Sequence, residues 1–187
     1  MKSFLLFILF WAGIVSAQNI PQNIQKYIER LEMQQDSVHE SRIGKGYPFE
    51  FQFTTEDGNY FSDKKLRGKV TLLNFWFEAC APCVAEFQVL EDLYQKYRSN
   101  PDFQIVTFST DRPEHIKKTL LRYGLHFPVC PVSRSDAAKL NFNQGFPTNI
   151  VIDKNKIVLY LSFGGPVEEK QVREIMRNIE TIIKNNL

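Results

Sequence analysis

The stretch "NFWFEACAPCVAEF", residues 74–87, decides how the rest of the chain is read. Cys80 and Cys83 flank an Ala-Pro pair, an apolar run leads in, and Glu86 follows three residues after the second cysteine. Such a pair can trade electrons, supply half of a metal site, or brace the fold as a disulfide. The flanks discriminate. "KVTLLNFWF" (Lys69 to Phe77) is largely apolar with no polar face, the pattern of a strand buried in the middle of a sheet. From Ala81 to Arg98, Cys83, Phe87, Leu90, Tyr94 and Tyr97 keep helical spacing. The two cysteines therefore fall where a strand hands over to a helix, Cys80 at or before its N-terminus and Cys83 in its first turn. The first N–H groups of a helix have no internal partner, and the dipole there favours negative charge. A thiolate at Cys80 is stabilised at that place and becomes the attacking sulfur. Pro82 suits the first turn because it has no N–H to leave unpaired, and the Cys83 N–H stays free to face the Cys80 sulfur. Cys83, on the apolar face, is the less exposed thiol and attacks second, the order of exchange through a mixed disulfide.

The rival chemistries fit less well. A structural zinc site wants four Cys or His ligands, often as two separated pairs. The other cysteine is Cys130, and the three histidines are scattered at 39, 115 and 126, so no metal is expected. A purely structural disulfide would close a very short loop, where the entropic gain is least. Cys130, in "FPVCPV", reads as a small buried apolar side chain. Glu78 reads as solvent-facing, and His126 receives no role.

The 187 residues suit one domain of ordinary size plus an appendage. A net charge of +2, scattered along the chain, does not suggest a nucleic-acid partner. The opening "MKSFLLFILFWAGIVSAQN" has one lysine, an apolar run of about a dozen residues and a small-residue end, which predicts a signal peptide over residues 1–17. An uncut anchor would need roughly 20 apolar residues. Residues 18–45 read as an appended segment: Ile24, Tyr27, Ile28 and Leu31 form one helical stripe, and "GKGYP" (Gly44 to Pro48) reads as a linker. The main domain is placed at residues 46–187. It contains an alternating strand in "FEFQFTT", a hairpin turn in "EDGNY", the strand and helix around the cysteines, and a strand in "FQIVTFST". A helix in "RPEHIKKTLLRYG" follows, then a short helix in "SDAAKLNF", strands in "TNIVID" and "KIVLYLSF", and a last helix from Val167 to Lys184. This order predicts an α/β layered fold.

"GKVTLLNFWFEACAPCVAEF", followed later by "GFPTNIVID", resembles the thioredoxin-fold family, and within it the exported TlpA/ResA-like thiol–disulfide oxidoreductases. The resemblance covers about residues 46–187. It implies a thioredoxin-like α/β fold, a central mixed β-sheet flanked by helices, here with an N-terminal β-hairpin extension and an appended N-terminal helix. It implies that Cys80 is the nucleophile and Cys83 the resolving thiol, and that Pro147 is the family's cis-proline; read from the residues alone, Pro147 is as well a proline leading a strand. Thioredoxin carries a buried Asp where this chain has Asn74, which cannot act as a base. The carboxylate stands instead at Glu86, as in ResA-like members. Glu86 interrupts the apolar stripe of the helix, so it reads either as a surface acid or, the reading favoured here, as a partly buried base for Cys83. Trp76 and Phe146, with Pro147, are the expected client-binding residues, although Trp76 is equally good core. Many relatives carry Trp just before the first cysteine; Ala79 leaves that place more open. The expected activity is disulfide exchange with exported protein substrates, in the reducing direction, by a periplasmic protein recharged by a membrane thiol donor and needing no cofactor beyond the Cys80–Cys83 pair. Cytochrome c maturation is one setting such members serve. A thiol peroxidase and a non-catalytic binding module are the alternatives, the first disfavoured because Phe77 stands where a peroxidase has Thr.

Overall fold

The computed structural model describes residues 21–22, 24–26 and 37–187. The expected signal peptide and most of the N-terminal stripe, Tyr27, Ile28 and Leu31, lie outside the described residues. The chain divides into two compact units, Met1–Arg42 and Ile43–Leu187. In the first, residues 37–42 are helical. The second holds seven strands and four α-helices.

A hairpin comes first, β1 (Gln52–Thr54) against β2 (Tyr60–Ser62), antiparallel. Its turn closes where "EDGNY" predicts: the Thr55 N–H donates to the Asn59 carbonyl at 2.8 Å, and Gly58 takes φ +89°, a conformation open to a residue without Cβ. The main sheet has the order β5-β4-β3-β6-β7. Its central strand, β3 (Val70–Trp76), is buried along its whole length, as its unbroken apolar run requires. β4 (Phe103–Ser109) and β5 (Val129–Pro131) run parallel to β3, and parallel neighbours need helical crossovers. α1 (Ala81–Tyr97) and α2 (Pro113–Tyr123) supply them. α2 ends at Gly124 in the left-handed conformation, φ +65°. After α3 (Arg134–Leu140), β6 (Thr148–Ile152) returns antiparallel to β3 and β7 (Val158–Phe163) antiparallel to β6. The chain closes with α4 (Glu169–Asn186), whose first residue lies two past the expected start at Val167.

The alternating sides of β3 bind two layers. Val70, Leu72 and Trp76 meet Phe87 and Leu90 of α1, Ile116 of α2, and Val172, Met176, Ile179 and Ile183 of α4. On the opposite side Phe75 stacks on Phe108 at 4.8 Å, and Phe51 and Phe53 close over Phe108 edge-on. The hairpin extension thus roofs a face of the sheet that no α-helix of the cysteine side reaches.

Two local expectations change. "GKGYP" is not a free linker: Gly46 bridges Ile157 ahead of β7, and the Tyr47 N–H donates to the Lys156 carbonyl at 2.7 Å. The buried Tyr47 hydroxyl donates to the Leu140 carbonyl at 2.8 Å, which ties this stretch to α3. β5 is not among the expected strands, because three residues that follow Pro128 and end in Pro131 carry no periodic pattern.

Candidate active site

Cys80 occupies the N-cap of α1, in extended backbone, and is bonded to Cys83 with the Cα atoms 5.2 Å apart. The Cys83 N–H points at the Cys80 sulfur at 3.3 Å, and Pro82 lies in the first turn, as expected. Cys80 is 7% exposed and Cys83 1%, so the first sulfur is the one nearer solvent. The loop before it is held from two sides. The Cys80 N–H donates to the Phe77 carbonyl at 3.1 Å, and the Glu78 N–H donates to Asp111 Oδ2 at 2.7 Å. The Glu78 carboxylate accepts from Arg122 Nη1 of α2 at 2.6 Å. Glu78 is therefore a tether between loop and helix rather than a free surface acid.

Glu86 is 3% exposed, one helical turn after Cys83. Burial raises its carboxyl from the ordinary 4.5 to about 7, against the opposing hydrogen bonds from Asn149 and Asn74. Asn149 Nδ2 donates to both carboxylate oxygens, at 3.0 and 3.1 Å, and Asn74 Nδ2 to Oε2 at 3.3 Å. Asn74 and Asn149 are opposite one another in the β3–β6 register, and Asn74 Nδ2 also donates to Asn149 Oδ1 at 2.8 Å. Asn74 thus takes part in the site as a donor, not as a base. Asn149 carried no signal in the sequence, because nothing in "GFPTNIVID" reveals which strand lies opposite.

The Phe146–Pro147 bond is cis, and Pro147 is buried. A Cβ at Gly165, just after β7, would lie 3.8 Å from Glu86 Oε1 and 3.9 Å from Pro147 Cγ, so the carboxylate and the proline border the same backbone. The Phe146 ring packs edge-on against Phe77, centroids 5.3 Å apart, and Phe77 is the residue whose carbonyl holds Cys80. Phe146 and Pro147 are thereby brought to the cysteine loop. Trp76 is not. It is fully buried, its ring against Phe87 at 5.0 Å and its Nε1 donating to Thr107 Oγ1 at 3.2 Å. The expectation that Trp76 binds client is corrected: its position at the end of a central strand turns it inward, and it is core.

Cys130 is buried and free, with its thiol pushed up to about 12 by burial first and by the charges of Glu56 and Asp57 next. A thiol so rarely ionised is a poor nucleophile. His126, assigned no role, fastens a buried acid: its Nδ1 lies 2.9 Å from Glu91 Oε1 and its N–H donates to Oε2 at 2.7 Å. Among the described residues no cluster of three or more His, Cys, Asp or Glu could hold a metal ion.

The redoxin family pattern matches residues 43–177, from the segment pinned to β7 into α4. The chain belongs to the redoxin family. Within it, the chain is similar to the thiol–disulfide oxidoreductase ResA of Bacillus thuringiensis, 31% identical over 131 residues that cover 69% of this chain and 74% of the relative. It is equally similar to ResA of Geobacillus kaustophilus, 31% identical over 142 residues, 75% of this chain and 78% of the relative. Among solved structures, a putative protein disulfide isomerase from Bacteroides thetaiotaomicron superposes with TM-score 0.64 at 26% identity, covering 76% of this chain and 91% of that one. A putative thiol:disulfide interchange protein DsbE from Chlorobium tepidum gives 0.64 at 24% identity, with 75% and 97% covered, a likeness of fold. This redoxin has the thioredoxin-like fold and is a thiol–disulfide oxidoreductase whose CxxC pair is Cys80 and Cys83.

Proposed function

We propose that this redoxin is an exported, periplasmic reductase of disulfides in protein substrates. The observation that carries the reading is the buried Glu86 behind a helix-capping Cys80 and an almost fully buried Cys83. In the reduced protein the Cys80 thiolate attacks a client disulfide. A Cys80–client bond forms, the client S–S bond breaks, and one client sulfur leaves as thiolate. The Glu86 carboxylate then takes the proton of Cys83. The Cys83 thiolate attacks the Cys80 sulfur, the Cys80–Cys83 bond forms, and the second client sulfur leaves with the electron pair. Two electrons have passed to the client, and the proton held by Glu86 returns to a leaving thiolate or to water.

The reducing direction rests on charge. An ionised Glu86 opposes a neighbouring thiolate, which destabilises the reduced pair and makes it the better electron donor. No histidine lies between the cysteines to stabilise the thiolate. The pair needs no further cofactor, and a membrane thiol donor recharges it. A cysteine pair of an apocytochrome c is the client class that fits export and this direction. Among the described residues no helix is long and apolar enough to cross a membrane.

The test is the reduction potential of the Cys80–Cys83 pair. A value near thioredoxin's roughly −270 mV supports the reductase, and one near about −120 mV makes the protein an oxidant. Cys83→Ser is expected to trap mixed disulfides with clients, a peptide carrying an oxidised CxxCH pair included, and Cys80→Ser to trap none. Trapping through Cys83 alone would reverse the assignment of nucleophile and resolver.

A further inference from the structure

β4 is only partly paired on its outer side. The Val70 N–H donates to the Asp102 carbonyl at 2.8 Å, so residues 102, 104, 106 and 108 turn their backbone groups towards β3. Residues 103, 105, 107 and 109 turn theirs towards β5. The Thr107 N–H donates to the Pro128 carbonyl at 3.1 Å, and the Ser109 carbonyl accepts from the Val132 N–H at 2.9 Å. The pairing with β5 reaches no further back than Thr107. One register step earlier, Pro128 has no N–H to give the Ile105 carbonyl. The chain before it turns away from β4, and the His126 N–H goes to Glu91 Oε2 at 2.7 Å. The Phe103 N–H is met by the Asn100 carbonyl at 3.3 Å. The Ile105 N–H and the carbonyls of Ile105 and Phe103 are left facing outward, with no backbone partner among the described residues. Unpaired backbone groups along a sheet edge are a template for a further strand.

This edge is the floor of an open groove of about 370 Å³. Tyr94 of α1 and Arg98 at its C-terminus line it from one face of the sheet, and Phe61 of β2 and Lys65 from the other. Gln104 Nε2 fixes the second wall by donating to the Lys65 carbonyl at 2.8 Å. Lys69 is the third cation of the lining, and among the described residues no carboxylate lines the groove. Lys69 and Arg98 form no ion pair among the described residues. The acids close by in sequence are engaged elsewhere: Asp102 pairs with Lys154 at 3.0 Å, and Glu56 accepts the Val129 N–H at 2.8 Å. We propose that the outer edge of β4 is a docking site for an extended, acidic segment of a partner protein, which adds a short strand beside Phe103–Ile105. In antiparallel pairing one partner residue opposite Ile105 exchanges both N–H···O bonds with it. Backbone bonds hold the segment, and its acidic side chains meet the cations of the walls. Phe103 and Ile105 stand opposite Val70 and Leu72, at the end of β3 away from Cys80. A docked partner and a client disulfide therefore do not compete for the same surface.

The experiment uses the full chain with an isotope-labelled backbone. The probe is a short capped peptide of alternating glutamate and valine. On titration the NMR signal of the Ile105 amide is expected to shift and its hydrogen exchange to slow, while the Cys80 amide stays still. Reversing two cations of the groove, Lys69→Glu with Arg98→Glu, is expected to raise the Kd about tenfold. Methylation of the peptide's backbone nitrogens is expected to raise it by a similar factor, because the bonds to the edge are lost. Should the double variant not fold, the methylated peptide supplies the second reading. An Ile105 amide unmoved by the glutamate–valine peptide would overturn the proposal, and so would equal binding of a lysine–valine counterpart. An Ile105 amide already protected from exchange in the dilute free chain would overturn it too, since the protein would then fill this edge itself. A shift of that amide with protein concentration alone would make the occupant a second copy, and the acidic partner would be ruled out.

Discussion

A carboxyl buried on α1 binds its proton more tightly than the same group in an unfolded chain, against the pull of the two asparagines that donate to it, and this has a stability consequence. Glu86 titrates at an ordinary 4.5 when unfolded and at about 7 when folded. Between those values the folded state holds a proton that the unfolded state has released, so stability falls as pH rises through that window. The loss is absent below the unfolded value and complete above the folded one, about 3 kcal/mol for a shift of this size. Glu86→Gln carries no such loss. The gap in unfolding free energy between the oxidised variant and the oxidised wild type is expected to move in the variant's favour from acid to neutral pH, by denaturant titration; parallel curves would place the carboxyl in solvent. The same variant is expected to slow exchange by about 10- to 10³-fold near neutral pH if Glu86 is the base. The second residue-scale prediction concerns Cys130. Its raised thiol and complete burial mean that the oxidised protein should give no maleimide adduct near neutral pH until denaturant is added, read by mass spectrometry. From the sequence, the order of the two cysteines and the interrupted stripe at Glu86 were readable, since both follow from positions along one helix. The Asn149 partner was not, since it comes from another strand.

Elements meet at the loop of residues 77–80, where β3 ends and α1 begins. Asp111, in the connection from β4 to α2, accepts the Glu78 N–H and is itself steadied by Ser109, whose hydroxyl accepts the Asp111 N–H at 3.2 Å. A hydrogen bond to a charged group contributes about 1.5 to 3 kcal/mol. Asp111→Ala is expected to lower stability by about that amount and to speed hydrogen exchange at the Glu78 amide. Unaltered protection of that amide would mean that the loop stands without its tether. α1, α2 and the hairpin were legible as elements because each carries its own pattern: a helical stripe closed by Gly124, or alternating Phe before a Gly-containing turn. β5 has no such pattern. Three residues become a strand because the edge of β4 offers Ser109 to the Val132 N–H, at 2.9 Å. Pro131, with no N–H to donate, is tolerable only because β5 lies at the sheet's edge.

The whole molecule settles what Trp76 does. The end of β3 is enclosed in the core, with Phe87 and Thr107 in contact with the indole. Trp76→Ala is expected to cost about 3–5 kcal/mol by chemical denaturation. Trp76→Phe is expected to retain the fold and an unchanged KM for a disulfide peptide. A raised KM with intact stability would return Trp76 to the client surface.

Strand-then-helix around Cys80 and Cys83, the redox use of that pair, the hairpin before it and the α/β layering were determined by the sequence, because backbone propensity, apolar period and helix-terminus electrostatics act within a few residues. Which side chains surround the pair was decided only by the tertiary structure. The register of β3 on β6 puts Asn149 opposite Asn74 and both under Glu86, and the return of the chain after β7 lays Gly165 beside Pro147. Contacts between strands some 75 positions apart depend on how the sheet is assembled, and no local pattern encodes them.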